Sequence, residues 1–275
     1  MKQQMKIQLR DFNLQATLDS GQVFGFTNDS AGGYRGVIDK IPVTLRQDSD
    51  CLHIKTEKGE LAESSVRKYF DLDHDLSAVY RFLTEDDRLR PAYHQLKGLR
   101  VIQQDPWEAL ACFIISSNNN IKRIQGIRRN LSKAFCDSEF LFPEAPDIAR
   151  SEERTLRKLG LGYRAPFLLK AAKRISADGD ILNRIHQESY EHARTFLMEF
   201  PGIGEKVADC VLLFGFQKYE TFPVDVWIFR AVKKLYFKNR KISERKARDF
   251  AQKRWGPHAG YIQQYLYHGA RSGIL

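Results

Sequence analysis

A glycine-containing turn that leads directly into an apolar helix constrains the fold of this chain most strongly. The turn runs from Pro201 to Gly204, and Lys206 follows on the first turn of the predicted helix. Apolar positions then recur at helical spacing, at Val207, Cys210, Val211 and Phe214. One face of this helix should therefore be buried. Glycine permits positive φ and a close backbone approach, and the free amides of a helix start can bind an anion. We predict a phosphate-binding turn that uses Gly202 and Gly204.

Lys206 is a candidate nucleophile, and Asp225 is its candidate partner. Asp225 follows after a short loop and has the residue type and position of an N-cap for the next helix. Cys210 lies four residues after Lys206 and neighbours it on the helix surface. If the loop folds back, Asp225 lies over Lys206. The alternative is a solvated helix lysine and a simple helix cap, and spacing alone does not distinguish the two.

The charge of the chain favours a polyanionic partner. The 275 residues carry a formal net charge of +10, and 43% of them are hydrophobic, which is enough for a sizeable core. Lysine and arginine that neutralise phosphates gain free energy from counterion release. A generally basic protein is the alternative.

Neither a membrane span nor a cysteine framework is expected. No apolar run approaches the roughly 18 residues of a span, and the first residues are too polar for a signal peptide. We expect a soluble, cytoplasmic protein. The cysteines are widely scattered, at Cys51, Cys112, Cys136 and Cys210. Their spacing indicates neither disulfides nor a metal site built from side chains.

Two regions of different character divide the chain, which predicts an α+β fold. Residues 1–98 contain short β-forming segments separated by turn residues, and should form an antiparallel sheet with helices. The predicted strands are 22–27, 34–38, 41–45 and 51–55, and the predicted helices are 61–70 and 76–83. Residues 99–275 are helical throughout and form the second predicted domain.

Polar corners interrupt the helical region at two places. Asp105 and Pro106 begin a helix that ends at Ser116, and the polar run 116–120 includes Asn118. Arg123 follows one turn later. These side chains can serve ordinary turns and caps, and they can also enter a groove and contact bases.

The second corner lies at Gly160 and Gly162, where Tyr163 and Arg164 place an aromatic ring beside a guanidinium. The alternative is that Tyr163 only stabilises the turn. In the last helix, Gln263 and Tyr267 share one face, so that an amide could bind a base edge while a ring stacks on the base.

These stretches together resemble the helix-hairpin-helix DNA glycosylases, and within them the 8-oxoguanine DNA glycosylase/AP lyases of the eukaryotic type. The matching stretches are DSGQVFGF (19–26), RKYFDLD (67–73), QDPWEALACFIISSNNNIKRI (104–124), RKLGLGYRA (157–165), PGIGEKVADC (201–210), PVDVW (223–227) and WGPHAGYIQQYLY (255–267). They follow the order of the family over almost the whole chain. The resemblance implies a sheet domain followed by two helical subdomains, with the active site in the cleft between them.

The resemblance also implies a mechanism. The target nucleotide would be flipped out of the duplex, and Lys206 would attack C1′, release the oxidised base and form a Schiff base. Elimination would then nick the strand 3′ to the lesion. Lysine is almost fully protonated at neutral pH, so the site is expected to favour the neutral amine through desolvation or nearby positive charge. Asp225 would act against this by raising the lysine pKa, and its benefit would instead be to stabilise positive charge on the sugar.

Residue roles in recognition follow from the resemblance alone. The Gly21 carbonyl would accept a hydrogen bond from N7–H, which guanine lacks. Gln263 would bind the pairing edge of the base, and Cys210 and Tyr267 its faces. The residues expected to fill the vacated space and hold the estranged cytosine are Asn118, Arg123, Tyr163 and Arg164. The predicted partner is double-stranded DNA with 8-oxoguanine opposite cytosine.

Three positions depart from the family pattern: Tyr267 stands in place of phenylalanine, Trp227 in place of histidine, and Glu205 where a hydroxyl residue is common. The compact chain is expected to be a bacterial or archaeal form and a monomer. No cofactor is expected to be required, although the hairpin carbonyls of Met198, Phe200 and Ile203 are candidate ligands for a structural cation.

Two other functions are possible on this sequence. A different glycosylase of the superfamily, specific for adenine or alkylated bases, is the nearer one, although the four-cysteine cluster typical of the adenine enzymes is absent. A non-catalytic DNA-binding protein is the other. Lys206 together with Asp225 argues against it, because a passive binder needs neither.

Overall fold

The computed structural model describes residues 2–29, 32–136 and 138–275. Within these ranges, the N-terminal part forms an antiparallel sheet with the strand order β1-β5-β4-β3-β2. The strands are β1 Gln3–Gln8, β2 Thr27–Asn28, β3 Tyr34–Ile38, β4 Ile41–Asp48 and β5 Cys51–Thr56. The predicted strands 34–38, 41–45 and 51–55 are confirmed. β4 extends three residues and β5 one residue further than predicted.

The prediction of a strand at 22–27 is wrong except at its last residue, and β1 was not predicted. Gln22 is buried, and its side-chain amide bonds with the backbone of Arg100 and Ile102 at 2.8 and 2.7 Å. These bonds hold the segment as an irregular strap instead of a sheet strand. β1 pairs with β5 along its whole length, but Ile7 is its only buried residue. The alternation that marks a strand is therefore faint in the sequence.

Four helices accompany the sheet in the first part of the chain. They are α1 Leu14–Leu18, α2 Glu63–Tyr69, α3 Ser77–Glu85 and α4 Arg90–Leu96. The predicted helices 61–70 and 76–83 correspond to α2 and α3. The sheet and α2 share one apolar core that contains Leu45, Leu52, Val66 and Phe70.

The rest of the described chain is helical, as predicted. The helices are α5 Pro106–Ser116, α6 Ile121–Cys136, α7 Ala145–Ala149, α8 Glu153–Leu156, α9 Ala165–Ala177, α10 Ile181–Gln187, α11 Tyr190–Met198, α12 Glu205–Phe216, α13 Val226–Phe237, α14 Glu244–Trp255 and α15 Ala259–Arg271. Asp105 caps α5 by accepting from the Glu108 amide, which confirms the predicted helix start.

The second apolar core is built from buried residues of this region and also of α3 and α4, through Val79, Leu83 and Ala92. These two helices precede residue 98 but pack with the helical part, so chain order and packing group them differently. The boundary at residue 98 stays a prediction.

Buried polar contacts join the two cores. The Asp71 carboxylate accepts from the hydroxyls of Tyr219 and Tyr261 at 2.7 and 2.6 Å. Gln264 on α15 donates to the Ser20 carbonyl at 3.2 Å. The segment that follows α1 is thereby held against α15, and this contact brings Gly21 close to the last helix.

Candidate active site

The helix-hairpin-helix motif is formed by α11, the glycine turn and α12. Gly202 has φ of +83°, and a Cβ there would lie 2.5 Å from the Phe167 ring, so this position requires glycine. Gly204 is the N-cap of α12 with φ of −98° and does not need positive φ. A Cβ at Gly204 would meet no atom within 4 Å. The start of α12 is therefore open to the close approach of another molecule's backbone.

Lys206 lies on the first turn of α12 and points at α5. Its Nζ is 5.6 Å from the centroid of the Phe113 ring, a cation–π distance. Phe113 was not predicted to belong to the site. The sequence carries a signal for this contact, because α5 is apolar and buried on almost all of its sides instead of along one stripe. The alternative of a solvated helix lysine therefore does not apply to Lys206.

Charges around Lys206 decide its protonation. Burial lowers the pKa of Lys206, but attraction to Cys210 and Asp225 outweighs it, so that the net shift is upward. Asp225 was expected to oppose the neutral amine, and in the free protein it does so together with Cys210. Burial raises the pKa of Cys210 to about 11, so its thiol is protonated at neutral pH. Near neutral pH, Asp225 is accordingly the anionic group that attracts the ammonium.

Asp225 is the N-cap of α13, as predicted, and accepts from the Ile228 amide at 2.8 Å. Burial raises the pKa of this carboxyl, against the lowering effects of that hydrogen bond and of Lys206. The loop has thus brought the carboxylate close enough to interact with the amine. Asp225 is therefore both a helix cap and an electrostatic neighbour of Lys206.

One wall of the candidate base pocket is formed by α15. Gln263 is 5% exposed and donates through Nε2 to the Pro223 carbonyl at 3.2 Å, which fixes its amide to the Asp225 loop. Its Oε1 is buried and accepts no hydrogen bond from the residues that the structure describes. An unpaired buried acceptor is costly, and a ligand that donates to it removes the cost.

Gly21 meets Tyr267 at the same pocket. Gly21 has φ of +82°, and a Cβ there would lie 3.3 Å from Tyr267 Cε1 and 3.0 Å from Ile121 Cδ1. Burial raises the pKa of the Tyr267 hydroxyl, while Arg271 lowers it. Cys210 is 5% exposed and interacts with Lys206, which lies one turn earlier on α12. The structure thus places Gly21, Gln263 and Tyr267 around one site beside Lys206.

The second group of predicted residues surrounds the loop between α5 and α6. Arg164 is buried, and its guanidinium donates to the carbonyls of Ser117 and Asn118. The Tyr163 hydroxyl donates to Ser117 at 3.2 Å, and its ring is 47% exposed. Asn118 has φ of +47° and is exposed, as is Arg123. Arg164 therefore holds the loop, whereas Asn118, Arg123 and Tyr163 are exposed at the protein surface.

Two of the three departures from the family pattern can be placed as well. Glu205 pairs with Arg248 at 2.6 Å and Arg194 at 3.0 Å. Its charge is thereby compensated by arginines of α14 and α11, and these ion pairs were not predicted. Trp227 is 43% exposed beside Asp225, at the mouth of the site.

A cavity of about 740 Å³ lies elsewhere, between the sheet and the helices, and is lined by Tyr69, Trp107 and Phe142. None of the predicted site residues lines it, so cavity size does not locate this site. In the described part of the chain, no group of three or more His, Cys, Asp or Glu side chains is arranged to hold a metal ion. The helices described are also too short or too polar to cross a membrane.

Two family models match consecutive parts of the chain. Residues 4–110 match the 8-oxoguanine DNA glycosylase N-terminal domain. Residues 111–257 match the HhH-GPD superfamily base excision DNA repair protein. Together they cover the sheet, the hairpin and the Asp225 loop.

Relatives cover nearly the whole chain. A protein of Methanothermobacter thermautotrophicus, named a probable N-glycosylase/DNA lyase, is 32% identical over 98% of this chain and 97% of its own. The Arabidopsis thaliana N-glycosylase/DNA lyase OGG1 is 28% identical over 96% of this chain and 78% of its own.

The solved structures agree. The Clostridium acetobutylicum 8-oxoguanine glycosylase/lyase, in complex with dsDNA containing cytosine opposite to 8-oxoG, has a TM-score of 0.89 and is 29% identical over 98% of this chain and 99% of its own. The hairpin lysine and the carboxylate beside it thus lie within a fold shared along the full chain. This chain belongs to the 8-oxoguanine DNA glycosylase/lyase family of the HhH-GPD superfamily of base excision DNA repair proteins.

Proposed function

We propose that this protein excises 8-oxoguanine from duplex DNA and cleaves the strand 3′ to the lesion. One observation carries the proposal: Lys206, Asp225 and the unpaired Gln263 acceptor converge from α12, the α13 cap and α15 on one site. A nucleophile, a carboxylate and a base-binding amide are the parts that this chemistry needs. The Clostridium relative, described with cytosine opposite 8-oxoG, supports cytosine as the opposite base.

Lys206 is the nucleophile in this mechanism. Its neutral amine attacks C1′, the C1′–N9 bond breaks, and the bonding electrons leave with the base, which takes up a proton. The sugar ring opens to an imine on Nζ. Asp225 stabilises the positive charge that develops on the sugar. The imine acidifies the C2′ proton, and its removal expels the 3′ phosphate.

The protonation of Lys206 sets a condition on this step. The ammonium is favoured in the free protein because interactions with Cys210 and Asp225 raise the lysine pKa against the effect of burial. A flipped nucleotide displaces water from the pocket and strengthens desolvation, which favours the neutral amine. Substrate binding therefore helps to activate the nucleophile, and the empty site stays unreactive.

Lesion recognition rests on hydrogen-bond polarity. The Gly21 carbonyl accepts from N7–H of 8-oxoguanine and faces the N7 acceptor of guanine, a mismatch worth roughly 1–3 kcal/mol. The unpaired Gln263 Oε1 accepts from the N–H groups of the pairing edge. Tyr267 and Cys210 contact the two faces of the base. Because Gly21 and Tyr267 lie against each other, one base can contact both.

The loop between α5 and α6 contacts the opposite strand in this proposal. Asn118, Arg123 and Tyr163 are exposed and available to the vacated space and the estranged cytosine. Arg164 acts through its bonds to the Ser117 and Asn118 carbonyls. Its guanidinium lies 4.3 Å from the Tyr163 ring centroid, so it positions the ring as well as the loop.

The phosphate-binding turn holds the backbone of the lesion strand. Gly202 and Gly204 are both exposed, and the first amides of α12 follow directly. A structural cation on the carbonyls of Met198, Phe200 and Ile203 is part of the proposal. The Phe200 carbonyl accepts from the Ile203 amide at 3.1 Å and keeps a second lone pair for a cation. The mechanism requires no other cofactor.

Borohydride trapping tests the function. Reduction of the Schiff base should give a covalent protein–DNA adduct on duplexes with 8-oxoguanine, strongest opposite cytosine among the four bases. Lys206→Gln should abolish the adduct. Lys55→Gln is the matched control, because Lys55 is exposed on β5, and it should trap normally.

Several outcomes would contradict the proposal. If the intact protein gave no adduct, the lyase assignment would be wrong. An adduct formed equally on duplexes with adenine or alkylated bases in place of 8-oxoguanine would favour another glycosylase of the superfamily. Binding without strand cleavage on any substrate would favour a passive DNA-binding protein.

A further inference from the structure

Arg271, the last residue of α15, lies at the Gly21 wall of the base pocket. Its Nη2 donates to the Asp19 carbonyl. Its Nη1 lies 2.6 Å from the position that a Cβ of Gly21 would occupy. Nη1 is buried and has no hydrogen-bond partner among the described residues. A guanidinium nitrogen that is dehydrated and unpaired carries a cost, which a ligand acceptor would remove.

Gln263, Tyr267 and Arg271 form one row along α15, because each is four residues from the next. The row covers about 12 Å of helix axis. Its two ends carry the unpaired polar atoms of the site, and these have opposite chemistry. Gln263 Oε1 is an acceptor, and Arg271 Nη1 is a donor. The Tyr267 ring lies between them.

This polarity matches an oxidised guanine laid across the Tyr267 ring. The pairing edge of the base carries the N1–H and N2–H donors, which suit Gln263 Oε1. The opposite edge carries N7–H between two acceptors, O8 and O6. If Gly21 accepts from N7–H, a donor beside Gly21 faces one of these flanking oxygens. Of the two, only O8 distinguishes the lesion, because guanine has C8–H there.

We propose that Arg271 is a further specificity-determining residue of this site, whose Nη1 donates a hydrogen bond to O8 of the flipped base. The inference rests on the proposed function, and it deepens that function by adding a direct contact to the atom that oxidation introduces. Gly21 needs glycine for its φ of +82°, and the Arg271 guanidinium lies in the space that a side chain there would enter. Recognition then uses two adjacent groups, the Gly21 carbonyl for N7–H and Arg271 for O8.

The Tyr267 hydroxyl is the competing partner for Arg271. The Arg271 guanidinium carbon lies 5.5 Å from the Tyr267 ring centroid, and the arginine lowers the pKa of that phenol. If Arg271 served only to orient this hydroxyl, Tyr267→Phe would reproduce the loss of the arginine. If Arg271 instead contacts the base, excision by Tyr267→Phe will still depend on the atom attached to C8 of the base.

The test exchanges one atom of the base and one side chain of the protein. Single-turnover excision is measured on duplexes with 8-oxoguanine and with 8-thioguanine, in which sulfur, a weaker acceptor, replaces O8. Arg271→Met should lower excision of 8-oxoguanine by roughly 10- to 100-fold, the effect of losing a charged hydrogen bond. It should lower excision of 8-thioguanine much less, so that the preference for oxygen disappears. Tyr267→Phe should keep that preference.

Two controls separate recognition from folding. Cleavage at a preformed abasic site requires no base and should be unchanged in Arg271→Met. Arg90→Met removes an exposed arginine from α4 and should behave as wild type on every substrate. Should Arg271→Met fail to fold, Arg271→Lys replaces it. Lysine keeps the charge but has no planar fork to reach both the Asp19 carbonyl and the base in this geometry, so a partial loss of 8-oxoguanine excision and a partly kept preference for oxygen are expected.

The inference is overturned if Arg271→Met slows both bases equally, if it slows abasic cleavage equally, or if wild type excises 8-thioguanine as fast as 8-oxoguanine. The loss caused by Arg271→Met could instead depend on the atom at position 6 of the base, as tested with 6-thio-8-oxoguanine. That result would assign the contact to O6 and would also overturn the inference. Wild type that excises no 8-oxoguanine would contradict the proposed function itself. Active wild type with an equally active Arg271→Met would contradict only the role of Arg271.

Discussion

The Nζ of Lys206 lies 5.6 Å from the centroid of the Phe113 ring, so that the candidate nucleophile of α12 faces an aromatic side chain of α5. This contact stabilises the ammonium, as does Asp225. The free protein therefore holds Lys206 in its unreactive form, and the chemistry depends on pH.

Excision should accelerate with rising pH. Because the pKa of Lys206 is raised, the neutral amine is a small fraction at neutral pH and grows up to tenfold for each unit below that pKa. We expect kcat/KM, which reports ionisation of the free enzyme, to rise through the neutral range into the alkaline range. Single-turnover excision with the enzyme in excess over DNA but below its Kd, across a pH series, measures this second-order rate constant. A flat neutral profile would mean that the amine is already neutral in the free protein.

Asp225→Asn should separate catalysis from helix capping. Asparagine caps helices about as well as aspartate, so the free energy of unfolding should change by less than about 0.5 kcal/mol. Lesion binding should be retained while turnover falls, because the carboxylate that stabilises the sugar cation is gone. Binding by fluorescence anisotropy and single-turnover excision are the measurements. Equal loss of binding and turnover would point to a structural cap alone.

The two glycines of the hairpin should respond differently to alanine. At Gly204, φ is −98° and a Cβ meets no atom within 4 Å, so Gly204→Ala should fold normally. It should nevertheless weaken DNA binding, because the methyl group occupies the space that a phosphate would approach. Gly202→Ala places a Cβ 2.5 Å from Phe167 at a φ of +83°, and should destabilise the fold by at least 1 kcal/mol.

Thermal unfolding and DNA titration of both variants check this contrast. Gly204→Ala with wild-type affinity at low and moderate salt would remove the hairpin from the phosphate-binding surface. Unchanged stability of Gly202→Ala would mean that Phe167 moves aside at little cost.

His268 should make the protein less stable in acid. Burial, followed by the Arg271 charge, lowers the pKa of His268 to about 4. The unfolded chain therefore binds a proton that the native state excludes between the ordinary histidine pKa and about pH 4, and stability rises with pH through that window. The effect should be on the order of 1–2 kcal/mol once solvent screening is allowed for.

Denaturant unfolding of wild type and His268→Gln across this window measures the difference. The variant should lose part of the acid sensitivity, because glutamine does not titrate. Parallel curves for the two proteins would assign the acid sensitivity to other groups.

Local signals predicted much of the site. The start of α12 at the glycine turn, the Asp225 cap and the Asp105 cap depend on residues within a few positions of each other, and all are confirmed. β1 was not predicted, because its pairing with β5 spans some fifty residues of chain and its own residues are mostly polar. The segment 22–27 was taken for a strand, because its apolar residues do not reveal that Gln22 bonds to residues 100 and 102.

By itself, the sequence determined the helical hairpin, the order of the motifs and the residue types that meet a DNA lesion, because these follow from local spacing and from motif resemblance. Only the tertiary structure decided what surrounds them. It placed Phe113 near Lys206, and it decided that attraction to Cys210 and Asp225 outweighs burial in setting the lysine pKa. In the folded chain, Arg164 donates to the Ser117 carbonyl and so fixes a loop. Arg271 lies against Gly21, although 250 residues of chain separate them. Desolvation and Coulomb interactions depend on separation in space, and spacing along the chain does not report that separation.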